Sequence, residues 1–459
     1  MFEFLKLKYA RNLISYAGGL LTTVSSILFL FVFLLELLGF HTNPYTGIVV
    51  FLILPGFFIF GLVVIPVGLW YERKRQLRGR GSDKGVWPRL DLNDPTTRAA
   101  TVSIAVLTFV NVIIVSLAGY RGLEYMDSVA FCGQVCHAVM DPEFTAYQDG
   151  PHSRVKCVQC HIGPGAPWFV QAKLSGVRQV FAVMADSYSR PVPSPVHNLR
   201  PARDTCEQCH WPDKFHGDAS NVIREYAEDA TNTESTTSLR LHVGSGGERS
   251  GVATGIHWHV GVANRIEYVA TDDKRQVIPY VSLTDANGNV REYVVEGTPQ
   301  ADIDRGERRT MDCVDCHNRP THPFALSVSK AVDAAMAHDQ ISPKLPWVKR
   351  ETVAALKENY PSREAATEAI ARRLDEFYRA NPTDVYAQQK DAIDRAVRTA
   401  QALYLRNVFP SMNVTWGTYA NNIGHSDSPG CFRCHDDNHK TKDGQVIRQD
   451  CDLCHTFDS

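Results

Sequence analysis

The chain has 459 residues, 44% of them hydrophobic, with 12 cysteines, 17 histidines and a formal net charge of −2. Its length allows two or three domains, and the near-neutral balance excludes the basic surplus of a nucleic-acid-binding protein. The charge is unevenly spread: residues 1–118 hold 11 Lys and Arg against 6 Asp and Glu, and the remainder holds 37 against 44.

Three apolar stretches open the chain, at 14–40, 46–70 and 99–118. Each supplies the roughly 20 residues that cross a hydrocarbon core as a helix, which predicts a membrane anchor of three transmembrane α-helices over 1–120. Lys6, Lys8 and Arg11 precede the first stretch, and Arg73, Lys74, Arg75, Arg78, Arg80, Lys84 and Arg89 separate the second from the third. Basic loops stay in the cytoplasm, so the linker 41–45 and everything after Tyr120 fall outside. No small-residue cleavage site follows the first span, which therefore reads as an uncleaved anchor. The expected location is the bacterial cytoplasmic (inner) membrane, multi-pass, with the large domain on the periplasmic side. Glu36 lies in the first span near its outer end. An ionisable group at that depth is a functional candidate, and its ordinary reading is a carboxylate that snorkels to the interface.

Beyond the spans, two cysteines followed at once by a histidine recur six times: Cys132/Cys136/His137, Cys157/Cys160/His161, Cys206/Cys209/His210, Cys313/Cys316/His317, Cys431/Cys434/His435 and Cys451/Cys454/His455. Five are CxxCH and the first is CxxxCH; together they use every cysteine. Two thiols about one helical turn apart can add to the two vinyl groups of a porphyrin, and the adjacent imidazole then faces the iron. Zinc would draw the cysteine pairs into four-ligand sets, and disulfides would leave the histidines unexplained. The motifs predict six covalently bound haem c groups.

The expected divisions of the outer domain are a module with haems 1–3 over 121–220, a β-rich insertion over 221–305 and a helical region with haems 4–6 over 306–459. Between the second and third motifs, 168–185 reads as an amphipathic helix with the apolar face Phe169, Leu174, Val177, Phe181 and Met184. Such a face is ordinarily core packing; the alternative is a helix lying on the membrane surface. Segments 265–270, 277–283 and 290–295, rich in Ile, Val and Tyr and separated by turn residues at 272–274 and 285–288, predict antiparallel strands. Helices are expected over 363–379 and 384–408, with Ser362 and Thr383 as N-caps. The fold class is mixed: three N-terminal transmembrane helices plus a largely helical and irregular multihaem c-type cytochrome domain with a small antiparallel β insertion.

Eleven histidines lie outside the motifs. His152, His216, His257, His259, His322, His425 and His439 are candidates for the opposite faces of the irons, against the ordinary reading of a surface or hydrogen-bonded imidazole. Iron with both axial positions filled suits electron transfer, whereas an open position suits chemistry on a small molecule.

The stretch 124–210 resembles the NapC/NirT family of membrane-anchored multihaem quinol dehydrogenases. The features that carry the resemblance are Cys136-His137-Ala138-Val139-Met140, matching CHxxM, His152 nine residues before His161, and Lys173 twelve residues after it; beyond that stretch, His322 follows His317 by five. The resemblance implies that Met140 or His137 ligates the first haem and that Lys173 stands at a quinol site. It also implies that His152 caps the haem of His317 and His322 that of a middle motif. Arg178, Asp127, Asp141 and Glu36 are further candidates for handling quinol protons. No carboxylate is in register for the family's acidic residue over the first haem, and Asp186 is the nearest. Simple family members have one membrane helix and four haems, so this chain is more similar to the larger inner-membrane cytochromes of metal-reducing bacteria. The implied activity is that of a quinol dehydrogenase, with menaquinol the first choice, passing electrons to a periplasmic acceptor protein or a larger respiratory complex. The expected partners are membrane lipid, quinol and that acceptor, without nucleic acid. A non-catalytic haem subunit of a respiratory complex is the alternative, and a multihaem reductase ranks last.

Overall fold

The computed structural model describes residues 12–37, 53–75, 91–135, 137–163, 165–196, 199–211, 215, 217–244, 254–261, 264–380 and 384–457. They form two units, Met1–Val135 and Cys136–Ser459.

The first unit is built of α1 (Leu13–Leu37), α2 (Leu54–Arg75) and α3 (Pro95–Met126). All three expected spans are helical where described, but the apolar length expected of three is met by one: among the described residues only Leu54–Glu72 is long and apolar enough to cross a membrane, and the apolar run Leu13–Phe29 is shorter. Small residues let α1 and α2 approach closely. A Cβ at Gly18 would stand 2.9 Å from the Gly61 carbonyl oxygen, and one at Gly68 would meet the Ser15 backbone at 2.7 Å. Across the same seam the Asn12 amide donates to Gly68 O at 3.1 Å and the Ser15 hydroxyl to Ile65 O at 3.2 Å. Leu20, Phe31, Phe57, Phe60 and Trp70 point outward and are exposed, as lipid-facing side chains are. Asp94 caps α3 by accepting from Thr97 N, and Pro95 occupies the first helical position, where its missing N–H costs nothing.

In the second unit, α4 (His137–Gln148) and α5 (Ala166–Met184) flank the second motif. The main core is formed by α6 (Val328–Ala337), α7 (Val348–Lys357), α8 (Arg363–Ala380) and α9 (Lys390–Asn407), which bury Val332, Leu356, Ile370, Leu374, Tyr378 and Ile393. Ser362 caps α8, its hydroxyl accepting from Ala365 N at 3.1 Å. The helix expected over 384–408 is broken at Gln389 (φ −125°, ψ 27°), leaving the short turn Val385–Gln388 ahead of α9. Thr383 lies outside the described residues. Ile370 is fully buried, and Ile370→Val is expected to cost about 0.5–1.5 kcal/mol, read as a lowered denaturation midpoint with an unchanged slope.

Two antiparallel sheets accompany the helices. One pairs β1 (Ala219–Tyr226) with β2 (Glu234–Leu241) and adds β8 (His455–Phe457); the other runs β6-β3-β4-β5-β7, from β3 (Arg265–Ala270), β4 (Tyr280–Thr284), β5 (Val290–Val295), β6 (Glu307–Thr310) and β7 (His439–Lys440). The predicted strands are β3, β4 and β5; β4 starts three residues late because Pro279 has no N–H for a ladder. The sheets also take strands from the motif-bearing stretches: β6 runs into Cys313, β7 follows His435 and β8 begins at His455. Pairing of β2 with β8, Leu241 opposite His455, thus ties the sixth motif to the insertion.

Candidate haem-binding site

Most motifs lie on a turn of helix. The second occupies the helix Cys157–His161, Ala202–Cys206 runs into the third, Cys313–Cys316 carries the fourth, and 3-10 turns at Gly430–Arg433 and Cys451–Leu453 carry the last two. Helical winding sets residues three apart on one face, which presents both thiols to the same porphyrin edge. In the first motif Phe131–Val135 is a π turn, whose wider ring takes up the extra residue of CxxxCH. Cys136, the side chain of His137, and His216 lie outside the described residues.

Motifs far apart in sequence adjoin one another. The Cys206 thiol donates to Cys313, so the first thiol is held protonated and the second is lowered. From within the fifth motif Arg433 donates to Asp315 O in the fourth at 2.7 Å. Asp315 is buried and accepts from the Tyr268 hydroxyl at 2.5 Å. Burial pushes the Cys316 thiol up to about 11 and Cys434 up to about 12.

Among the described residues four motif histidines face a second histidine. Ring centres are 6.3 Å apart for His161 and His322, 6.0 Å for His210 and His152, 5.7 Å for His435 and His259, and 6.1 Å for His455 and His425. Two imidazoles on opposite faces of one metal, each bonded at about 2 Å, stand with nitrogens roughly 4 Å apart; the Nε2 atoms of His259 and His435 are separated by 3.5 Å. The second nitrogens are anchored. Nδ1 of His322 contacts Glu143 O at 2.8 Å, that of His259 Ile256 O at 2.8 Å, that of His435 Arg448 O at 2.8 Å, that of His152 Pro320 O at 3.1 Å and that of His257 Val243 O at 3.0 Å. A proton on Nδ1 leaves the Nε2 lone pair for a metal. Desolvation lowers His259 and His322 further toward the neutral form that ligation requires. Desolvation, and then the nearby His257 and His210, lower His317. The residues therefore fit iron porphyrins. Arg200 adds to the fit: its Nε and Nη1 are buried without a hydrogen-bond partner, as a site for a propionate would leave them.

Two expectations are corrected by this geometry. His152 faces His210 rather than His317. His439 is 1% exposed, with Nδ1 at 2.9 Å from Asp436 Oδ1 and Nε2 at 2.7 Å from Ile278 O, so both nitrogens are turned to oxygens of the protein and neither faces a motif histidine. Cys209, expected to bind the third haem alongside Cys206, is not enclosed as its partner is: Cys206 is half-buried, whereas Cys209 is exposed, as is Cys451 in the sixth motif. The cause is local, because the helix ends at Cys206 and the chain turns outward, with Cys209 N donating to Cys206 O at 3.1 Å and His210 N to the same oxygen at 2.8 Å. Assignment of Cys209 to haem is therefore carried by its spacing from Cys206 and by the pairing of His210 with His152, not by a buried setting. Sequence reasoning also missed Glu143, which is buried between Arg319 (2.6 Å) and His322 (3.5 Å); its partners come from a stretch more than 170 residues away, so nothing local marks it.

The residues expected at a quinol site are spread over several elements. Lys173 lies on α5 with Nζ 4.9 Å from the Phe169 ring centre, and Arg178, on the same helix, is exposed. The apolar face of α5 is not core: Phe169, Val170, Leu174, Val177, Phe181 and Met184 are all exposed, from 38% to 78%. Asp141 in α4 is held by Arg363 of α8 at 2.9 Å, and Asp186, at φ 50°, pairs with Arg190. Met140 is half-buried in α4. Asp127 ends α3, and Glu36 lies in α1 with its side chain outside the described residues.

Residues 94–193 match the profile of the NapC/NirT cytochrome c family, N-terminal region. The cytochrome c-type protein ImcH of Geobacter sulfurreducens is 43% identical over 449 residues, covering 97% of this chain and 88% of that protein. No solved structure matches. With cysteine pairs, facing imidazoles and an extended match in agreement, the chain belongs to the NapC/NirT family and is a multihaem c-type cytochrome of electron transport.

Proposed function

We propose that this protein is a membrane-bound hexahaem cytochrome that oxidises quinol, menaquinol first among candidates, at the outer face of the cytoplasmic membrane and delivers single electrons to a periplasmic partner. The observation that carries the proposal is α5. Val170, Leu174, Val177, Phe181 and Met184 recur along one stripe of this helix and are exposed, and its 19 residues include Lys173 and Arg178 but no acidic side chain. A basic helix with an exposed apolar stripe is built to lie in the headgroup boundary, where a lipid-borne quinol arrives.

Oxidising a quinol releases two electrons and two protons. The haems, when bound, supply one-electron acceptors. Lys173 Nζ donates to one quinol oxygen and steadies the negative charge that forms there as the quinol protons pass to water, Arg178 steadies the opposite oxygen, and the apolar stripe holds the isoprenoid tail. When haem is bound, His161 with His322, His210 with His152, His435 with His259 and His455 with His425 would hold the irons, an arrangement that favours electron transfer over reduction of a bound small molecule. The test is stopped-flow mixing of the oxidised holoprotein with a menaquinol analogue. Rapid haem reduction that a quinone-site inhibitor blocks and Lys173→Ala slows by about 10²-fold is expected. Full reduction by dithionite with none by quinol would instead leave a haem subunit fed by another protein.

A further inference from the structure

The 3-10 turn Ile256–Val260 carries two histidines with a tryptophan between them. His259 faces His435 with Nε2 atoms 3.5 Å apart, which gives it to the fifth motif. The turn itself is fixed near the fourth. It precedes β3, β3 pairs with β6 (Glu267 opposite Thr310), Met311 N donates to Ile266 O, and Cys313 follows two residues later. Arg203 donates to Val260 O from the short helix Ala202–Cys206, whose first residue donates from its N–H to Asp312 Oδ2 at 3.4 Å. The His257 ring lies 5.0 Å from Phe215, and its Nδ1 is tied to Val243 O. Between the two imidazoles, Trp258 packs into a core cluster that includes both Met311 and Cys434, one beside each motif, and its ring stands 5.7 Å from that of His259.

We propose that Ile256–Val260 is a two-headed ligand strap, in which His257 serves the iron of the fourth motif, His259 serves that of the fifth, and Trp258 is the positioning residue that holds both imidazoles. The inference rests on the haem reading of the motifs, and it makes the ligation of two successive haems mechanically dependent on one side chain. Among the described residues no ring contact pairs His317 with another histidine, and the turn that carries His257 is held beside the fourth motif through β3, β6 and Asp312. A turn with its Nδ1 atoms tied to Val243 O and Ile256 O leaves little freedom for either ring to follow its iron separately.

The experiment is electron paramagnetic resonance of the ferric holoprotein, with haem content measured on the same samples by intact mass. A wild-type mass without covalent haem at the fourth and fifth motifs would overturn the haem reading and the strap with it. With six present, His257→Ala and His259→Ala are each expected to convert one haem from low to high spin. Trp258→Gly, which keeps both histidines, is expected to convert two. In a Cys313→Ala/Cys316→Ala background the effect of His257→Ala should vanish while that of His259→Ala persists. His257→Met guards against misfolding: it should restore a low-spin haem with a changed spectrum. A high-spin signal from His257→Ala that survives loss of the fourth motif, or a Trp258→Gly protein with wild-type spectra, would overturn the proposal.

Discussion

Replacing Asp333 with alanine is expected to lower the stability of the second unit by about 3–5 kcal/mol, because it strands a buried ammonium. Asp333 on α6 and Lys349 on α7 meet at 2.5 Å with side chains 7% and 5% exposed. The same carboxylate oxygen accepts from Tyr226 N at the end of β1, at 2.9 Å, so one substitution opens an ion pair and a backbone hydrogen bond together. Asp333→Asn, which keeps an acceptor for Tyr226 N, should cost less. The helical core matters for the site because Asn407 of α9 accepts from Ala325 N at 2.8 Å, three residues from His322. Denaturant titration of the holoprotein, followed by circular dichroism and haem absorbance, is the check. A loss below about 1 kcal/mol would mean that the pair is open to water and worth no more than a surface bridge.

His322→Ala should have the largest effect on the cofactors. His322 faces His161 at 6.3 Å between ring centres, with its Nδ1 fixed by Glu143 O. Without it the iron of the second motif keeps a single protein imidazole, and one ferric haem becomes high-spin. Loss of a nitrogen donor disfavours the ferric state, so one of the reduction steps should move upward by on the order of 100 mV, within the roughly 0.8 V that axial ligands command. Potentiometric titration with optical detection reads both changes. Wild-type spectra and potentials would mean that the facing ring is not a ligand. Glu143→Gln should shift the same step by less, since it changes charge beside the ligand and leaves the carbonyl anchor in place.

How much of this was legible follows from the range of the interactions involved. The cysteine pairs were legible because thioether attachment demands two thiols and an imidazole within a few residues. How deeply each thiol sits was not, since one CxxC spacing carries half-buried Cys206 with exposed Cys209 in the third motif, exposed Cys451 with half-buried Cys454 in the sixth, and two half-buried thiols in the fourth. Strands β3 and β5 were legible to the residue through their β-branched and aromatic content and the turns beside them. β1 and β2 were not: their side chains are mostly exposed, as in Ser235, Thr236 and Thr237, so no alternation marks them. The partners of the motif histidines were equally hidden, because His259 and His435 stand 176 positions apart and only the fold joins them. His439, four residues after a motif histidine, had the address of a ligand, but Asp436 and Ile278 take both its nitrogens. In α5 the periodicity gave the helix and its apolar stripe; what covers the stripe was a matter of tertiary structure, and the stripe proved exposed rather than core.

The central claim is that facing imidazoles close the irons, so that the chain conducts electrons without offering open metal sites. Carbon monoxide titration of the fully reduced, detergent-purified holoprotein tests this most directly, since the gas binds only ferrous haem with a vacant or weakly held axial position. The account predicts at most two molecules bound per chain, at the haems of the first and fourth motifs, and one if His257 closes the fourth, with the four paired haems inert. Three or more bound per chain would contradict the ligand pairs and return a catalytic reductase to first place.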